Sequence, residues 1–304
     1  MDKSPISEDA STISFPETVI AACGLPRQEA DTYTLVLASA GISCQLIRTA
    51  NGWQLHVPPG AETPARAALA AYRAENDEPD TFTETSVWPV SRTRAGIIAA
   101  ATILAVHLAV TFSGRKNIFF SQFNASATDI LNGDIYRITT ALFLHADWAH
   151  LVGNMVGLAL FVTAVCSVAG FGAGSLMVLV SGMLGNLFNA LLFQSGHYSI
   201  GASTAVFGAV GIVAAHLFMV KWRQFGHRLK TWLPLGSGLA LLAILGASIN
   251  TDVTAHLFGY LSGCAIGLAF SAARKMPPPR KAQYGSLLAA VALVLASFLS
   301  ANIP

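Results

Sequence analysis

Seven apolar runs in the last two thirds of the chain constrain its fold more than any other feature. They cover residues 95–112, 149–168, 171–192, 202–220, 233–249, 254–272 and 284–301. A helix needs about 20 predominantly apolar residues, with a range of about 17–25, to cross a bilayer. Charged residues make up only 11% of the chain, whereas a soluble domain carries roughly 25%. The sequence therefore predicts an all-α, multi-pass membrane protein rather than a soluble enzyme.

Charge divides the chain into two parts of opposite sign. Residues 1–84 contain five Lys or Arg and twelve Asp or Glu, whereas residues 85–304 contain thirteen and four. This split predicts an acidic soluble domain followed by a membrane domain with basic loops. Nucleic acid is excluded as a partner, because the basic residues lie beside apolar spans rather than on one folded face.

The distribution of basic residues predicts the orientation in the membrane. With seven spans, ten of them fall on the side of the N-terminus and only Arg115, Lys116 and Arg137 on the opposite side. Cytoplasmic loops are enriched in Lys and Arg, so we expect a cytosolic N-terminus and an outer C-terminus. Neither a cleavable signal peptide nor an Arg-rich transit segment is visible at the start of the sequence. We therefore expect a bacterial inner membrane.

The acidic part predicts a small α+β cytosolic domain over residues 15–76, after a polar tail at 1–14 and before a linker at 77–93. Residues 15–22, 43–49 and 53–57 have the pattern of strands, and Asn51-Gly52 predicts the turn of a hairpin. Residues 27–40 and 64–75 have the pattern of helices. No residue pattern here indicates catalysis, and we interpret His56 as a surface histidine. The domain is either a regulatory module that binds a cytosolic partner or a spacer.

Three spans carry polar residues that membrane helices rarely contain without a function. His150 and Asn154 lie four residues apart, on one face of span 2. Ser203 begins span 4, and His256 begins span 6. Spans 2, 4 and 6 all begin on the outer side in the predicted topology, so these side chains lie at a similar depth.

A stripe of small residues predicts that two of these spans pack closely. Gly259, Gly263 and Gly267 recur every fourth residue after His256, and such a stripe permits close approach of another helix. If that helix is span 4, His256 comes within reach of Ser203. A serine nucleophile needs an adjacent base, and a histidine suits that role. Asn154, His150 and a backbone N–H of Ser203 are candidates to stabilise an oxyanion.

Taken together, these residues carry a family resemblance. The patterns HxxxxHxxxN from His145, GxSxxxxG from Gly201 and AHxxGxxxG around His256, in this order on alternate spans, resemble the rhomboid family of intramembrane serine proteases. Tyr136-Arg137 and the long loop at about 113–136 are similar to the segment that precedes span 2 in that family. The resemblance covers about residues 95–272.

The resemblance implies a fold and a mechanism. It implies a six-helix transmembrane bundle over 94–272, to which residues 273–304 add a loop and a seventh, C-terminal helix. It implies Ser203 as nucleophile and His256 as general base of a dyad that cleaves transmembrane substrates. It further implies His150 and Asn154 as oxyanion donors. Structural support is implied for His145, Gly201, Gly259, Gly263 and Arg137.

Two residues depart from the family pattern. Thr204 stands where glycine often follows the serine, and a β-branched side chain there is expected to narrow the pocket. Phe207 stands where some members have tyrosine; its ring can still stack under His256 but cannot donate a hydrogen bond. Asp252 precedes His256 by four residues, but we do not expect it to act as a third, acidic member.

Other interpretations follow from the same residues. A rhomboid-like protein that binds transmembrane helices without cleaving them is the main alternative. A transporter would need acidic residues inside the spans or matched broken repeats, so it ranks last. No metal, nucleotide or other cofactor is expected, and the expected partners are transmembrane substrates and the lipid bilayer. The remaining histidines have no matching partners in the sequence and are interpreted as interface or loop residues: His107, His197, His216 and His227.

Overall fold

The computed structural model describes residues 17–76, 92–246, 251–273 and 278–301. The chain divides into two compact units, residues 1–86 and 87–304. The predicted tail at 1–14 and most of the predicted linker lie outside the described residues. The domain boundaries derived from the sequence therefore stay predictions.

The first unit has the predicted α+β composition. Its strands are β1 (Val19–Leu25), β2 (Gln45–Thr49) and β3 (Gly52–Val57), and its helices are α1 (Arg27–Ser39) and α2 (Glu62–Asn76). The strands form one antiparallel sheet in the order β1-β3-β2. Leu37 of α1, Leu55 of β3 and Ala65 of α2 are fully buried in a shared apolar core. The apolar face of each element thus meets the others in one small core.

Two local predictions in this unit are wrong in their boundaries. The first strand ends at Leu25 rather than Ala22, because its pairing with β3 continues to Leu25 through register shifts on both sides of Ala22. The hairpin turn consists of Ala50 and Asn51, since Gly52 already pairs with Thr49. Gly52 has a positive φ of 112°, and a Cβ there would approach the Leu25 carbonyl oxygen to 3.0 Å. This glycine therefore serves a close approach to the end of β1.

The second unit consists almost entirely of helices. Its elements are α3 (Ala95–Phe112), α4 (Lys116–Phe123), β4 (Ala125–Ser126), α5 (Ala127–Leu131), α6 (Arg137–Thr140), α7 (Trp148–Gly157), α8 (Thr163–Ala169), α9 (Phe171–Phe193), β5 (Tyr198–Ser199), α10 (Ser203–Phe225), α11 (Leu229–Leu245), α12 (Val253–Ala273) and α13 (Arg280–Leu299). A π-helical turn at Leu158–Val162 joins α7 and α8 into one span.

The described helices fit the predicted spans. Six of them, counting α7 and α8 together, are long and apolar enough to cross a membrane, and α11 is a shorter apolar helix of 17 residues. The predicted all-α class with an additional C-terminal helix is confirmed. Trp148, Trp222 and Trp232 lie near helix ends, where aromatic side chains meet the membrane interface.

The centre of the bundle is α10, which packs directly against the backbone of α12. A Cβ on Gly259 would overlap the Thr204 carbonyl oxygen, and one on Gly263 would overlap that of Gly208. These glycines therefore remove side-chain bulk where the two backbones touch. The stripe predicts this contact, and it brings the first turns of the two helices together.

The connection between α3 and α7 is folded into short helices rather than an open loop. The buried Arg137 guanidinium binds Asp129 at 3.3 Å, Asp134 at 3.0 Å and the Ser121 carbonyl at 2.9 Å. Strand β4 pairs with β5 just before α10. The connection is thus attached to the segment that leads into Ser203.

The last helix, α13, is attached near both of its ends. The buried Gln283 accepts hydrogen bonds from the N–H groups of Gly172 and Ala173 and donates one to the Ala169 carbonyl. Near its other end, Phe298 packs against Phe123 and Phe143 with ring centroids 5.3 and 5.7 Å apart. A helix outside the predicted six-helix core is thereby joined to it by a buried polar group and an aromatic cluster.

Candidate active site

Ser203 and His256 meet where the first turns of α10 and α12 converge. The Ser203 Oγ lies 2.7 Å from the His256 Nε2, a normal distance for a hydrogen bond. Their positions differ by 53 residues in the chain, and the glycine contacts between the two helices bring them together. His256 is buried and Ser203 is half-buried. The imidazole is therefore shielded from the surroundings, whereas the serine residue stays partly accessible.

A backbone carbonyl selects the tautomer of His256. The Nδ1 atom lies 3.2 Å from the Gly246 carbonyl oxygen. Because a carbonyl can only accept, Nδ1 donates, and Nε2 is left as an acceptor for the Ser203 hydroxyl. Both ring nitrogens are therefore engaged without an acidic side chain. The Phe207 ring lies below the imidazole, with centroids 4.8 Å apart, as expected from its position in the sequence.

The turn before Ser203 has a conformation that requires glycine. Gly201 has a φ of 119°, and a Cβ there would lie 2.5 Å from the His150 Nε2. Its N–H donates to the Ala141 carbonyl at 2.9 Å. Any larger residue would be strained and would push His150 away. Gly201 therefore shapes the loop that presents Ser203.

His145 supports the same loop. Its Nε2 accepts a hydrogen bond of 3.4 Å from the Ala202 N–H, and its ring contacts that of His150 at 5.1 Å between centroids. Burial lowers the pKa of His145 to about 3, so the ring is neutral at ordinary pH. A neutral ring can accept at Nε2, whereas a protonated one would only donate.

His150 and Asn154 lie beside this turn, on one face of α7. The Asn154 amide donates to the His150 carbonyl at 3.0 Å, which leaves its second N–H for another acceptor. The His150 side chain makes no hydrogen bond to any described residue and packs against Gly201. The Asp147 carboxylate caps the helix by accepting from the His150 backbone N–H at 2.9 Å. The His150 ring thus lies beside the turn that leads into Ser203, and Asn154 follows it by one turn of α7.

Sequence reasoning missed a polar network at the start of α12. The Asp252 Oδ2 accepts from His197 and from Asn189, both at 2.7 Å, and its Oδ1 accepts from the Ala255 N–H at 3.0 Å. Burial disfavours the charge, but the hydrogen bonds from Ala255, His197 and Thr254 outweigh it and lower the pKa of Asp252. Asp252 therefore caps the helix that carries His256, and it does not contact the imidazole.

Three interpretations from the sequence are corrected here. His197 is paired with Asp252, and His216 lies 3.1 Å from the Ser271 Oγ, so neither histidine is without a partner. Thr204 does not narrow a pocket: it is buried, and its methyl group faces Gly185 and Gly259 between α9 and α12. Thr204 directly follows Ser203 in α10, and consecutive side chains of a helix point in different directions, so Thr204 lies off the face that presents Ser203.

The fold and the site define a class: a multi-pass membrane protein with a histidine–serine pair at the meeting point of two spans. A sequence model of the Rhomboid domain matches residues 132–273. That segment includes every residue described above for the pair and its surroundings. The chain therefore contains a Rhomboid domain over these residues.

Individual relatives agree with this assignment. The chain is 30% identical to RHOMBOID-like protein 1 of Arabidopsis thaliana over 137 residues, which is 45% of this chain and 35% of the relative. It is 31% identical to putative rhomboid protease YdcA of Bacillus subtilis (strain 168) over 137 residues, 44% of this chain and 66% of the relative. It is also 30% identical to human inactive rhomboid protein 2 over 135 residues, 44% of this chain and 16% of the relative. The chain thus covers less than two thirds of each.

Proposed function

We propose that this protein is an intramembrane serine endopeptidase that cleaves transmembrane helices near the outer membrane face. Ser203 is the nucleophile and His256 the general base. The observation that carries the proposal is the 2.7 Å hydrogen bond between the Ser203 Oγ and the His256 Nε2. A serine hydroxyl is a weak nucleophile unless a base accepts its proton as it attacks.

The chemistry follows from the tautomer of His256. Its Nε2 takes the Ser203 proton while Oγ forms a bond to the carbon of the scissile carbonyl. The Gly246 carbonyl, hydrogen-bonded to Nδ1, then faces an imidazolium and stabilises its charge. The imidazolium gives the proton to the leaving nitrogen, the peptide bond breaks and an acyl-enzyme remains. A water molecule, deprotonated by His256, hydrolyses this ester and returns Ser203 to its starting state.

Stabilisation of the oxyanion is assigned to α7 and to the start of α10. Negative charge develops on the carbonyl oxygen during attack, so donors aimed at it lower the barrier. His150 and Asn154 offer side-chain N–H groups, and Ser203 offers a backbone N–H at a helix N-terminus, where the dipole favours negative charge. Removal of one such donor typically lowers kcat by about 100- to 1,000-fold.

Substrate entry is assigned to the side of α11. This helix contains Pro234 and exposes several large apolar side chains, among them Leu239, Ile244 and Leu245. Its end supplies the Gly246 carbonyl that orients His256, so a displacement of α11 would also act on the base. A substrate helix must unwind before cleavage, which frees backbone groups that only a water-containing cavity tolerates. Small or helix-breaking residues near the cut are therefore expected.

The localisation is proposed from the loop charges. The chain is an integral, multi-pass membrane protein. We assign it to a bacterial inner membrane with a cytosolic N-terminus, because basic residues gather on the N-terminal side of the spans. The unit at the N-terminus would then meet cytosolic partners. Deletion of residues 1–84 tests this: unchanged cleavage of every substrate would exclude regulation and leave only a spacer.

The central experiment is cleavage of a model transmembrane substrate in liposomes by wild type, Ser203→Ala and His256→Ala. Ser262→Ala and His227→Ala are matched controls, since Ser262 lies in α12 away from the pair and His227 is exposed. Cleavage by wild type and the controls alone supports the proposal. Equal cleavage by all five proteins would indicate a different nucleophile or a contaminating protease.

A second outcome would favour another function. One relative is an inactive rhomboid protein, so a member of this family can be similar in sequence without the activity. If no protein cleaves the substrate but wild type still co-purifies with it, the chain is a rhomboid-like protein that binds transmembrane helices.

A further inference from the structure

A large apolar cavity lies between α3, α9 and α13, beside the start of α10. Its volume is about 550 Å³. Its walls include Ile98 and Thr102 of α3, Val178 of α9 and Leu287 and Val294 of α13. The attachments of α13 by Gln283 and Phe298 lie toward its two ends and leave this space open along its middle.

The cavity communicates with the surroundings of the bundle. Two of its lining side chains, Ile98 and Leu295, keep 65% and 57% of their surface exposed. In a membrane-spanning unit, the medium at this depth is the hydrocarbon of the bilayer. Water would find few polar partners on these walls, and an empty apolar space would lose packing energy. A lipid chain is therefore the molecule with access to the cavity and affinity for it.

The dimensions of the cavity suit an acyl chain. The stretch from Leu287 to Leu295 is about 12 Å long at 1.5 Å per residue. An apolar cavity of about 150 Å³ holds a benzene ring. On that scale, the observed volume has room for an aliphatic chain of roughly 20 carbons.

One end of the cavity carries a cation. Arg94 and Thr93 line it just before α3 begins. Arg94 is exposed, and no carboxylate of the described residues lies within ion-pair distance of it. As the first and seventh of alternating spans, α3 and α13 begin at the same membrane face, so Arg94 lies at the level of lipid headgroups. A guanidinium binds phosphate through two parallel hydrogen bonds.

We propose that this cavity binds one acyl chain of an anionic phospholipid, whose phosphate pairs with Arg94. The bound chain would extend to Ala202 and Ala205, which also line the cavity and lie on either side of Ser203 in the sequence. The bound chain would therefore pack against the start of α10. The proposal rests on the membrane location of the fold and holds whether or not Ser203 acts as a nucleophile.

The test measures lipid retention by the full-length protein. Wild type is reconstituted with palmitoyl-oleoyl phosphatidylglycerol and phosphatidylcholine, extracted, and examined by native mass spectrometry. We expect one retained phosphatidylglycerol per protein. Arg94→Gln should weaken its retention about fivefold and abolish the preference over phosphatidylcholine. The matched control Arg92→Gln removes a neighbouring exposed arginine that does not line the cavity, and it should behave as wild type.

A second pair of variants tests the position of the acyl chain. Val294→Trp fills the cavity and should abolish retention of the lipid, whereas Leu288→Trp, on the exposed side of the same helix, should not. Equal retention by these two variants, or equal effects of the two arginine changes, would overturn the proposal.

Photo-crosslinking covers the case in which Val294→Trp fails to fold. A phospholipid with a photoreactive chain should label peptides of both α3 and α13 in wild type. Labelling confined to the outward side of α13 would overturn the proposal. A photoreactive side chain placed at position 294 should likewise form a lipid adduct, and an adduct with another polypeptide would mean that a helix occupies the site.

Discussion

Replacement of Gly259 by alanine tests whether the backbone contact between α10 and α12 sets the geometry of the Ser203–His256 pair. An added Cβ would overlap the Thr204 carbonyl oxygen. The closest ordinary C···O contacts are about 3.3 Å, so the two helices must separate by about 1 Å. Thr204 directly follows Ser203, and Gly259 lies one turn after His256. The separation is therefore transmitted to the pair.

The expected effect on the pair is large. A shift of about 1 Å would lengthen the 2.7 Å hydrogen bond to about 3.7 Å, where it ceases to be one. A misplacement of that size can lower the rate about 100-fold, and overpacking destabilises a core by about 1–3 kcal/mol. We therefore expect Gly259→Ala to fold with a lower unfolding temperature and to lose about 99% of its cleavage rate.

The assay compares cleavage of a transmembrane substrate with thermal unfolding for each variant. Gly285→Ala is the matched control, because a Cβ on Gly285 in α13 would meet nothing within 4 Å. It should retain wild-type activity and stability. A folded Gly259→Ala protein that cleaves at the wild-type rate would refute the argument that this backbone contact holds the pair together.

Three further changes test the surroundings of the site. Asp252→Ala removes the cap of α12 and the partner of His197; we expect about 1 kcal/mol lower stability and slower cleavage, measured by unfolding temperature and kcat. The pKa of His145 is about 3 in the folded protein and near 6.5 in the unfolded chain. The neutral ring therefore contributes its full stabilisation above pH 6.5, and about 2 kcal/mol of it is lost at pH 5. A plot of unfolding temperature against pH should be flatter for His145→Asn. Gln283→Leu leaves buried backbone groups of α8 and α9 unpaired, so we expect about 2–4 kcal/mol lower stability, measured by thermal unfolding.

Matched variants separate these effects from general damage. Asp252→Asn keeps an oxygen that can cap the helix, so it should be more stable than Asp252→Ala; equal stability of the two would exclude capping as the cause. His227→Asn, at an exposed histidine, should leave the pH profile unchanged, and an equally flattened profile would contradict the role of His145. Gln224→Leu changes an exposed glutamine; a loss equal to that of Gln283→Leu would show that the buried contacts contribute nothing.

Much of the architecture is encoded locally and could be predicted. Long apolar runs specify membrane helices because backbone polar groups in hydrocarbon must be paired within the helix. The spacing of Gly259 and Gly263 indicated a close helix contact, and the family resemblance implied that Gly201 shapes the turn before Ser203. These predictions succeeded because periodicity and length act within a single segment.

Other features depend on contacts between distant segments, and no local pattern reveals them. The Gly246 carbonyl that orients His256 is a backbone group, which every residue possesses, so its role has no signature in the sequence. His197 appeared to lack a partner because Asp252 lies 55 residues further along the chain. Gln283 looked like an ordinary polar residue at the start of a span, yet it is buried against the turn between α8 and α9.

The division has one physical cause. Hydrophobicity, helix periodicity and small side chains act over a few neighbouring residues, so they determine where the spans lie and which faces can touch. Hydrogen bonds at the site act over about 3 Å between groups that the chain separates by tens of residues. Only the packed bundle decides which carbonyl orients His256, which carboxylate caps α12, and where α13 leaves an apolar cavity beside the start of α10.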